Sequence, residues 1–535
     1  MKKAGQHETN DFFSSFAPLR APLFRALWIA TIVSNLGTWM QDVGESWLMV
    51  SLTKSPLLVA LVETAGSLPV VLLALPAGAL ADLIDRRKLL LVTQLWMMVA
   101  AVVISALTFA GVMTPWLLLS MTFTLGLGAA INSPAWQAIV PELVPQRELP
   151  EAATLSSVAF NVSRAVGPAI GGLIVAAAGS RGVFLLNAAS FLGVITVIYR
   201  WDRKREKPSL PSEHVWGAMR AGLRYARHAP EVQTVLLRTA AFTFCASGLW
   251  ALLPLQARLT LGLGSFGYGV LLGCLGTGAL LGAVVLSLVR AVMSNDLLVV
   301  VGSALFAVAT LVLAQSSMIL VTGAALLLGG IGWIACMSSF NTVAQSVSPA
   351  WARGRVLALF TLVLLGGLAA GSAGWGVVAN RLNIKYALDI AAGGLMLGLA
   401  FRFRYRLIGT EELTLTPWVH WPQPVSVLEP DPDRGPVLVV VEYQINPHRA
   451  KDFRHAMREI RRIRRRDGAF RWRLYSDPAI LGRFVETYLV ESWGEHLRQH
   501  ARITEADRKI EETIVACQLD GVLPPAKHLI SERVR

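Results

Sequence analysis

The sequence predicts an all-α membrane protein of twelve transmembrane helices in two six-helix bundles, followed by a small soluble α+β domain. Of the 535 residues, 54% are hydrophobic and only 16% are charged, whereas soluble proteins carry about 25% charged residues. Residues 401–535 contain 42 of the 84 charged side chains, so the rest of the chain is strongly apolar. This apolar part divides into twelve runs near the roughly 20 residues that a helix needs to cross a bilayer.

The twelve runs form two sets of six, separated by a polar stretch. The first set covers 24–51, 57–81, 89–111, 115–140, 152–178 and 182–199, and the second covers 232–259, 268–289, 297–316, 319–345, 356–379 and 384–403. We therefore expect a tail at 1–22, a first bundle at 23–200, a central loop at 201–230, a second bundle at 231–406, a Pro-rich linker at 407–436 and a soluble domain at 437–535.

Basic residues predict which side of the membrane each loop faces, because Lys and Arg mark the cytoplasmic side. The central loop is rich in them, and the loops on its side contain Arg86, Arg87, Lys88, Arg147, Arg290, Arg353 and Arg355. The loops on the other side contain Lys54, Arg181, Arg381 and Lys385. Residues 1–20 lack a short apolar run with a cleavage site, so no removable signal peptide is expected. The sequence thus predicts a multi-pass protein of the inner cell membrane with both termini in the cytoplasm.

Charge balance and cysteine content argue against several other classes. A net charge of +14 would suit a nucleic-acid partner, but the excess follows the loops on one side, and residues 401–535 carry only +4. The four cysteines contain no CxxC pair, which argues against a disulfide framework or a zinc site. No G-x-x-x-x-G-K-[ST] loop occurs, so an ATP motor is not expected. We expect no nucleic-acid partner, no metal and no cofactor.

Glycine and proline positions indicate an internal duplication. A shift of 204 residues places Gly126 on Gly330, Gly128 on Gly332, Pro145 on Pro349, Gly167 on Gly371 and Gly172 on Gly376. Transporter folds are often built from such repeats. The coincidences therefore predict that the two bundles share one structure.

The loop after the second run reads G-A-L-A-D-L-I-D-R-R-K at residues 78–88. It resembles the loop signature G-x-L-x-D-x-x-x-R-R-K of the major facilitator superfamily, with an aspartate where many members have glycine. The resemblance implies the major facilitator fold and a gating loop formed by Gly78, Asp82, Asp85, Arg86, Arg87 and Lys88. Asp82 could pair with basic groups or cap a neighbouring helix while the cytoplasmic side is closed. A positive-inside stop signal with incidental carboxylates is the alternative.

Residues 164–172 read R-A-V-G-P-A-I-G-G and resemble the G-P-x-x-G-G core found in proton-linked exporters of the same superfamily. Gly167 and Gly171 form a small-xxx-small face that permits close helix packing, and Pro168 removes a backbone hydrogen bond and bends the helix. With Gly172 they complete an antiporter-type motif. Ordinary tight packing is the alternative, whereas the resemblance implies export.

Further segments resemble the transmembrane secretion effector branch, which includes enterobactin-type siderophore exporters. They are Trp28 and residues 34–41, 73–78 and 484–493. The resemblance implies a secondary exporter that moves a small amphipathic molecule, such as a siderophore, drug or metabolite, by alternating access and a proton gradient. It does not imply an enzyme. A membrane-tethered enzyme or ligand sensor acting through the soluble domain is the alternative, and truncation after about Arg406 would separate the two.

Charged side chains inside a bilayer cost about 3 kcal/mol or more and are functional candidates by default. No histidine lies in the predicted spans, so proton coupling would fall to carboxylates. The candidates are Asp42, Glu45, Glu63 and Asp389.

The first span carries a polar face, because Asn35, Thr38, Asp42 and Glu45 recur at three- or four-residue steps. We expect this face to border a central cavity. Asp42 and Arg164 both fall near mid-membrane, so Arg164 is a candidate partner of Asp42. The hypothesis is that Asp42 or Glu45 exchanges a proton for substrate. The alternative is that these groups line a wet cavity or bind substrate electrostatically.

The soluble domain shows the order β-α-β-β-α of a ferredoxin-like unit. Strands are predicted at 437–445, 470–476 and 483–492, and helices at 447–466, 494–502 and 504–517. With residues 493–497 the segment resembles the antibiotic-biosynthesis monooxygenase type of dimeric α/β barrel. Pairing into a homodimer, gating and ligand sensing all stay open as roles for this domain.

Two side-chain clusters in the soluble domain need separate interpretation. His496 and His500 lie four residues apart on a helix, a spacing that can hold a metal, but no third ligand is evident, and a solvated surface is expected. The basic run at 461–466 could touch anionic lipid heads or nucleic acid. Attachment to a membrane domain favours the lipid or regulatory interpretation.

Overall fold

The structure of the protein, a computed structural model, describes residues 16–201, 215–349, 351–407, 430–522 and 524–532. Most of the predicted N-terminal tail and Pro-rich linker, and about half of the central loop, lie outside these ranges. The chain falls into two compact units. One comprises residues 1–210, 237–340 and 361–406, and the other comprises residues 211–236, 341–360 and 407–535.

Six helices make the N-terminal group, and each begins and ends within three residues of its predicted span. They are α1 (Pro22–Leu52), α2 (Pro56–Leu83), α3 (Arg86–Phe109), α4 (Pro115–Leu143), α5 (Leu149–Ala178) and α6 (Ser180–Arg200). A single residue, Gly179, separates α5 from α6. Its φ of +74° is a left-handed conformation that glycine adopts without steric cost.

The C-terminal group follows a short connecting helix, α7 (Val215–His228), which the sequence analysis had assigned to a loop. Its helices are α8 (Pro230–Leu259), α9 (Ser265–Val289), α10 (Asn295–Gln315), α11 (Ile319–Ser346), α12 (Arg353–Arg381) and α13 (Ile384–Gly398). The last predicted span, 384–403, continues as the short helix α14 (Phe401–Arg404).

Eleven helices within the described residues are long and apolar enough to cross a membrane. Helix α1 is not among them, although it is 31 residues long and packs against α5 and α6. Its polar face, which includes Asn35, Asp42 and Glu45, interrupts its apolar surface. The all-α fold of two six-helix groups is therefore confirmed, and α1 carries two of the four candidate carboxylates, Asp42 and Glu45.

The two groups repeat the same helix packing at matching glycines. Gly126 and Gly128 of α4 pack against α2 and α3, whereas the matching Gly330 and Gly332 of α11 pack against α9 and α10. A Cβ at Gly126 would lie 2.8 Å from the carbonyl oxygen of Gly66. The fourth helix of each group thus approaches the second and third helices through its glycines, as the predicted duplication requires.

The helix ends define two ends of the first unit. We call the end that carries loop residues 84–85, 144–148 and 290–294 the basic end, and the other the opposite end. The two groups touch in their opposite-end halves. Arg258 Nη1 donates to the carbonyl oxygen of Val50 at 2.8 Å, and Thr64 Oγ1 donates to that of Ala369 at 3.0 Å. These hydrogen bonds join the two groups at the opposite end.

The soluble domain is a four-stranded antiparallel sheet with helices packed on it. Its elements are β1 (Val437–Gln444), α15 (Ala450–Asp467), β2 (Phe470–Ser476), β3 (Arg483–Val490), α16 (Trp493–Arg502), α17 (Glu505–Val515) and β4 (Ala526–Ile530). The strand order β2-β3-β1-β4 is the one expected of a ferredoxin-like unit. The edge strand β4 is not among the predicted strands, because it has only five residues.

The second compact unit joins α7 to the soluble domain through an ion-pair network. Arg224 Nη2 of α7 lies 2.8 Å from Glu495 Oε1 of α16, and Arg502 Nη1 lies 2.7 Å from the same oxygen. The Arg502 guanidinium carbon also lies 4.5 Å from the ring centroid of Trp351, in the loop between α11 and α12. The Arg466 guanidinium lies over the Tyr225 ring of α7 and adds a cation–π contact to these ion pairs.

The expected solvated surface is wrong for His496. Its side chain is fully buried, because α16 packs over the sheet and Trp493 packs against the imidazole at 5.5 Å between ring centroids. His500 is half-buried. A third imidazole, His528 of β4, lies beside both.

Candidate functional site

A cavity of about 750 Å³ lies within the first unit and is walled mainly by the N-terminal group. The polar face of α1 forms one side, with Asn35, Thr38, Asp42 and Glu45 among the lining residues. Glu63 of α2 lines it as well. Other polar lining residues are Gln94, Thr122, Asn132, Ser133, Gln137 and Asn187. The cavity extends from these groups toward the basic end, where Phe24 and Leu143 line it.

Glu45 is buried and takes part in a set of hydrogen bonds that links three helices. Its Oε1 accepts a hydrogen bond from Gln41 Nε2 at 2.7 Å, and its Oε2 accepts one from Thr122 Oγ1 of α4 at 2.8 Å. Gln41 in turn accepts a hydrogen bond from Asn187 of α6. Both carboxylate oxygens are satisfied, so this side chain contributes to the packing of α1 against α4 and α6.

Asp42 differs from its neighbour because its side chain is exposed to the cavity. It interacts electrostatically with Glu45 and with Glu63, so three carboxyl groups share one region of the wall. Since like charges repel, a proton taken up in this cluster lowers its electrostatic energy. Asp42 is the most exposed of the three, whereas Glu63 is half-buried in the same wall and Glu45 is buried.

Arg164 of α5 occupies an aromatic cage formed by Trp39, Trp250 and Trp333. Its guanidinium carbon lies 5.6, 5.5 and 5.7 Å from their ring centroids. Trp39 belongs to the N-terminal group and the other two belong to the C-terminal group, so one cation bridges the groups. The acidic side chain that interacts with Arg164 is Glu63, rather than the Asp42 that depth in the membrane had predicted.

The glycines of the antiporter-type motif pack α5 against two other helices. A Cβ at Gly167 would lie 2.7 Å from the Trp39 Cβ, and one at Gly171 would lie 2.8 Å from the Met40 Cα of α1. On another face, a Cβ at Gly172 would lie 2.9 Å from the Gly269 Cα of α9. The motif thus permits backbone contact both within the N-terminal group and across to the C-terminal group.

Pro168 also contributes to the interface between α5 and α9. The Pro168 carbonyl oxygen would lie 2.6 Å from a Cβ at Gly269, so any larger residue at Gly269 would collide with the α5 backbone. The residue spacing in the sequence had predicted close packing at this motif, but it could not identify α9 as the partner helix.

The loop motif at the basic end fastens three helix ends. Asp85 caps α3 by accepting a hydrogen bond from the Lys88 backbone N–H at 3.1 Å. Arg86 pairs with Glu142 of α4 at 2.8 Å, and Arg87 donates to the carbonyl oxygen of Ile198 at the end of α6 at 3.1 Å. The Lys88 side chain is exposed. The surroundings of Gly78 and the side chain of Asp82 lie outside the described part of the chain.

Two acidic residues of the C-terminal group, Asp389 and Asp296, make polar contacts within that group. Asp389 is not a lining residue of the cavity. It accepts hydrogen bonds from Gln315 of α10 at 2.8 and 3.0 Å. Asp296 was missed by the sequence analysis. It is buried and pairs with Arg238, and its Oδ2 lies 3.0 Å from Arg402 Nε. Arg238, an arginine inside a predicted span, was the available signal.

Comparison with curated proteins finds transporters. The chain is 28% identical over 237 residues to the uncharacterized MFS-type transporter YfiS of Bacillus subtilis (strain 168), covering 42% of this chain and 56% of that protein. It thus spans about half the length of that relative. It is 27% identical to the multidrug efflux pump Tap of Mycolicibacterium fortuitum over 72% of this chain and 97% of Tap. It is 24% identical to the enterobactin exporter EntS of Salmonella choleraesuis (strain SC-B67) over 70% of this chain and 90% of EntS.

Solved structures show the same fold. The nucleoside transporter NupG superposes with a TM-score of 0.62 at 9% identity, covering 72% of this chain and all of NupG. An inward-facing, occupied bacterial homologue of the human lysosomal transporter Spinster superposes with a TM-score of 0.58 at 14% identity, over 72% of this chain and 97% of that one. The model of the transmembrane secretion effector family matches residues 13–535. The chain therefore belongs to the transmembrane secretion effector family of major facilitator transporters.

Proposed function

We propose that this transporter is a proton-coupled exporter that moves a small amphipathic molecule out of the cytoplasm by alternating access. The observation that carries the proposal is the Asp42 carboxyl group, which is exposed in the cavity wall beside Glu45 and Glu63. A titratable group that faces the substrate space and repels neighbouring carboxylates can hold either a proton or a substrate donor. Competition for one carboxylate is the simplest physical basis of antiport.

Orientation follows from the basic residues. The loops of the basic end carry most of the loop Lys and Arg residues, so this end is the cytoplasmic one, and both termini are cytoplasmic in an inner-membrane protein. The cavity that reaches Phe24 and Leu143 then belongs to an inward-facing state. In this state the transporter would collect substrate from the cytoplasm.

The outward-facing state would require the contacts at the opposite end to separate. Four of the contacts that must break or slide are Arg258 to Val50, Thr64 to Ala369, Gly172 to Gly269, and Arg164 to the C-terminal half of its aromatic cage. Glycine-lined helix surfaces suit such motion because two smooth backbones meet without interlocking side chains. The loop motif, in turn, holds the ends of α3, α4 and α6 together while the groups rock.

Substrate chemistry is proposed from the cavity wall. Indole rings of Trp28 and Trp136 line it together with amides and hydroxyl groups, a mixture that suits a molecule with both apolar and polar parts. The named relatives include a multidrug efflux pump and an enterobactin exporter. A drug or a siderophore is therefore the proposed class of substrate.

The test is transport in proteoliposomes with an imposed pH gradient, using a panel that contains a macrolide and a catecholate siderophore. We expect Asp42→Asn to lose gradient-driven transport by at least about 10-fold, as a typical coupling free energy implies. The matched control is Asp389→Asn, which removes the same charge away from the cavity. Full gradient-driven transport by Asp42→Asn would contradict the proposed coupling. Failure to move any compound would contradict export itself.

A further inference from the structure

The soluble domain contains three imidazoles that the transport function does not use. His496 and His500 lie on consecutive turns of α16, and His528 lies on β4, directly across from Val439 of β1. One nitrogen of each residue can be chosen so that all three lie within 4.8 Å of one another. The ring centroids of His496 and His528 are 4.6 Å apart, and those of His496 and His500 are 4.8 Å apart.

We propose that His496, His500 and His528 form a binding site for a divalent transition-metal ion of the zinc type. Imidazole nitrogen is a preferred ligand of Zn²⁺, and three histidines with one position left for water form a known coordination set. The ion would link a helix to an edge strand that is about 30 residues farther along the chain. The sequence offers only the pair His496 and His500, because the third ligand, His528, is brought beside them by the fold.

Distances within the cluster suit coordination. The Nε2 atoms of His496 and His500 lie 3.2 Å apart. Two nitrogens that bind one tetrahedral Zn²⁺ at about 2.0–2.1 Å are separated by about 3.3 Å. The imidazoles would therefore need little movement to share an ion. A direct N–H to N hydrogen bond between the two rings is the competing explanation of the same distance.

Burial and protonation also favour a ligand role. His496 is fully buried, and burial together with the neighbouring imidazoles lowers its pKa to about 3. Burial and the nearby His528 lower the pKa of His500 to about 4. Burial also lowers the pKa of His528, so all three imidazoles favour the neutral form that binds metals. A buried imidazole that stays neutral and packs against two others is costly to keep unless the polar nitrogens are satisfied.

The surroundings supply an outer shell. His496 Nδ1 and His528 Nε2 have no hydrogen-bond partner of good geometry within the described residues. The Gln499 amide lies close enough to His496 to interact with it, and metal-bound histidines usually donate their second N–H to such a group. Arg464 lies nearby and would repel a cation, but it is paired with Glu486 at 3.7 Å and with Glu511 at 3.4 Å. These two carboxylates offset the charge of the guanidinium.

The experiment uses the full-length protein, purified in detergent through a tag without histidine and stripped with a chelator. Co²⁺ is added as the spectroscopic probe, and Zn²⁺ is used to displace it. We expect one Co²⁺ per chain with the visible absorption of a tetrahedral ion, and loss of that absorption on addition of Zn²⁺. His500→Gln and His528→Gln should each weaken binding by at least about 10-fold.

Matched controls are His448→Gln and His455→Gln, which change exposed histidines of the same domain and should leave Co²⁺ binding unchanged. Thermal melting of each chelated variant confirms that the fold is kept. If His496→Gln fails to fold, His528→Gln, on the half-buried edge strand, still decides the result. Equal Co²⁺ binding by His528→Gln and His448→Gln, or no stoichiometric binding by the unaltered protein, overturns the site and leaves the hydrogen-bonded histidine pair. Neither outcome bears on transport, so the two proposals are tested separately.

Discussion

The guanidinium carbon of Arg164 lies 5.5 Å from the ring centroid of Trp250, which joins α5 of the N-terminal group to α8 of the C-terminal group. Two further tryptophans complete the aromatic cage, and Glu63 of α2 interacts with the same cation. Helix α5, which carries the antiporter-type motif, therefore also carries a cation–π contact between the two groups. A change of protonation at Glu63 would alter the electrostatic interaction with Arg164 and hence the strength of this contact.

The planar guanidinium of Arg164 should be needed for transport. Arg164→Lys keeps the charge but loses stacking on the aromatic cage. A desolvated cation–π contact contributes about 2 kcal/mol, so we expect transport in proteoliposomes to fall by about 10-fold or more. Arg181→Lys is the control, because Arg181 stacks on Phe109 at 5.0 Å outside the cavity. Equal activity of the two variants would rule out a role for the cage.

Backbone contact between α5 and α9 should not tolerate a methyl group. In Gly172→Ala the new Cβ would lie 2.7 Å from the Ser265 carbonyl oxygen and 2.9 Å from the Gly269 Cα. Since backbone atoms cannot move aside, we expect a loss of about 1–3 kcal/mol in stability. The measurement is the melting temperature in detergent. Gly393→Ala, where a Cβ meets nothing within 4 Å, should melt as the unaltered protein does.

Glu45 should matter for folding more than for coupling. Glu45→Leu leaves the buried Gln41 amide and Thr122 hydroxyl without their acceptor, which costs about 1–3 kcal/mol. Glu45→Gln keeps an acceptor oxygen for one donor and should be milder. We expect the melting temperature to fall in the order unaltered, Glu45→Gln, Glu45→Leu, with gradient-driven transport largely retained in Glu45→Gln. Loss of transport in Glu45→Gln at unchanged stability would move the coupling role from Asp42 to Glu45.

The ion-pair network of the second unit should stabilise it. Glu495→Gln keeps one acceptor oxygen but removes the negative charge that pairs with Arg224, Arg498 and Arg502, and Arg502 is buried. Breaking a buried ion pair by removing one partner costs about 3 kcal/mol or more, so the soluble domain should unfold at lower temperature and be cleaved faster by protease. Glu491→Gln is the control, since its 3.7 Å contact with Arg220 is exposed and is expected to contribute less than about 1 kcal/mol.

Hydropathy and helical periodicity were sufficient for most of the fold. Eleven of the twelve predicted spans match helices within three residues at both ends, and the polar face of α1 lines the cavity as its residue spacing indicated. The exceptions have physical reasons. Helix α7 is amphipathic and lies in a charged stretch that resembles a loop, and β4 has only five residues at a sheet edge.

The candidate site was only partly predictable. Sequence spacing placed Asp42 and Glu45 on one helix face, because that depends on the helical period alone. It could not show that Glu45 is buried by Gln41 and Thr122 whereas Asp42 is exposed. Depth along a helix suggested Asp42 as the partner of Arg164, but the acidic group that interacts with Arg164 is Glu63 of α2, and depth alone does not specify which helix supplies the partner.

By itself, the sequence indicated the twelve helices of the two groups and the glycine motif that permits close packing, and it predicts which side of the membrane the basic loops face. These properties depend on local composition and on the period of a single helix. Tertiary structure alone decided that α9 receives Gly172, that tryptophans from both groups enclose Arg164, and that His528 joins His496 and His500. Each of these contacts joins residues that are far apart in the chain, and only the packing of whole helices and strands sets their distance.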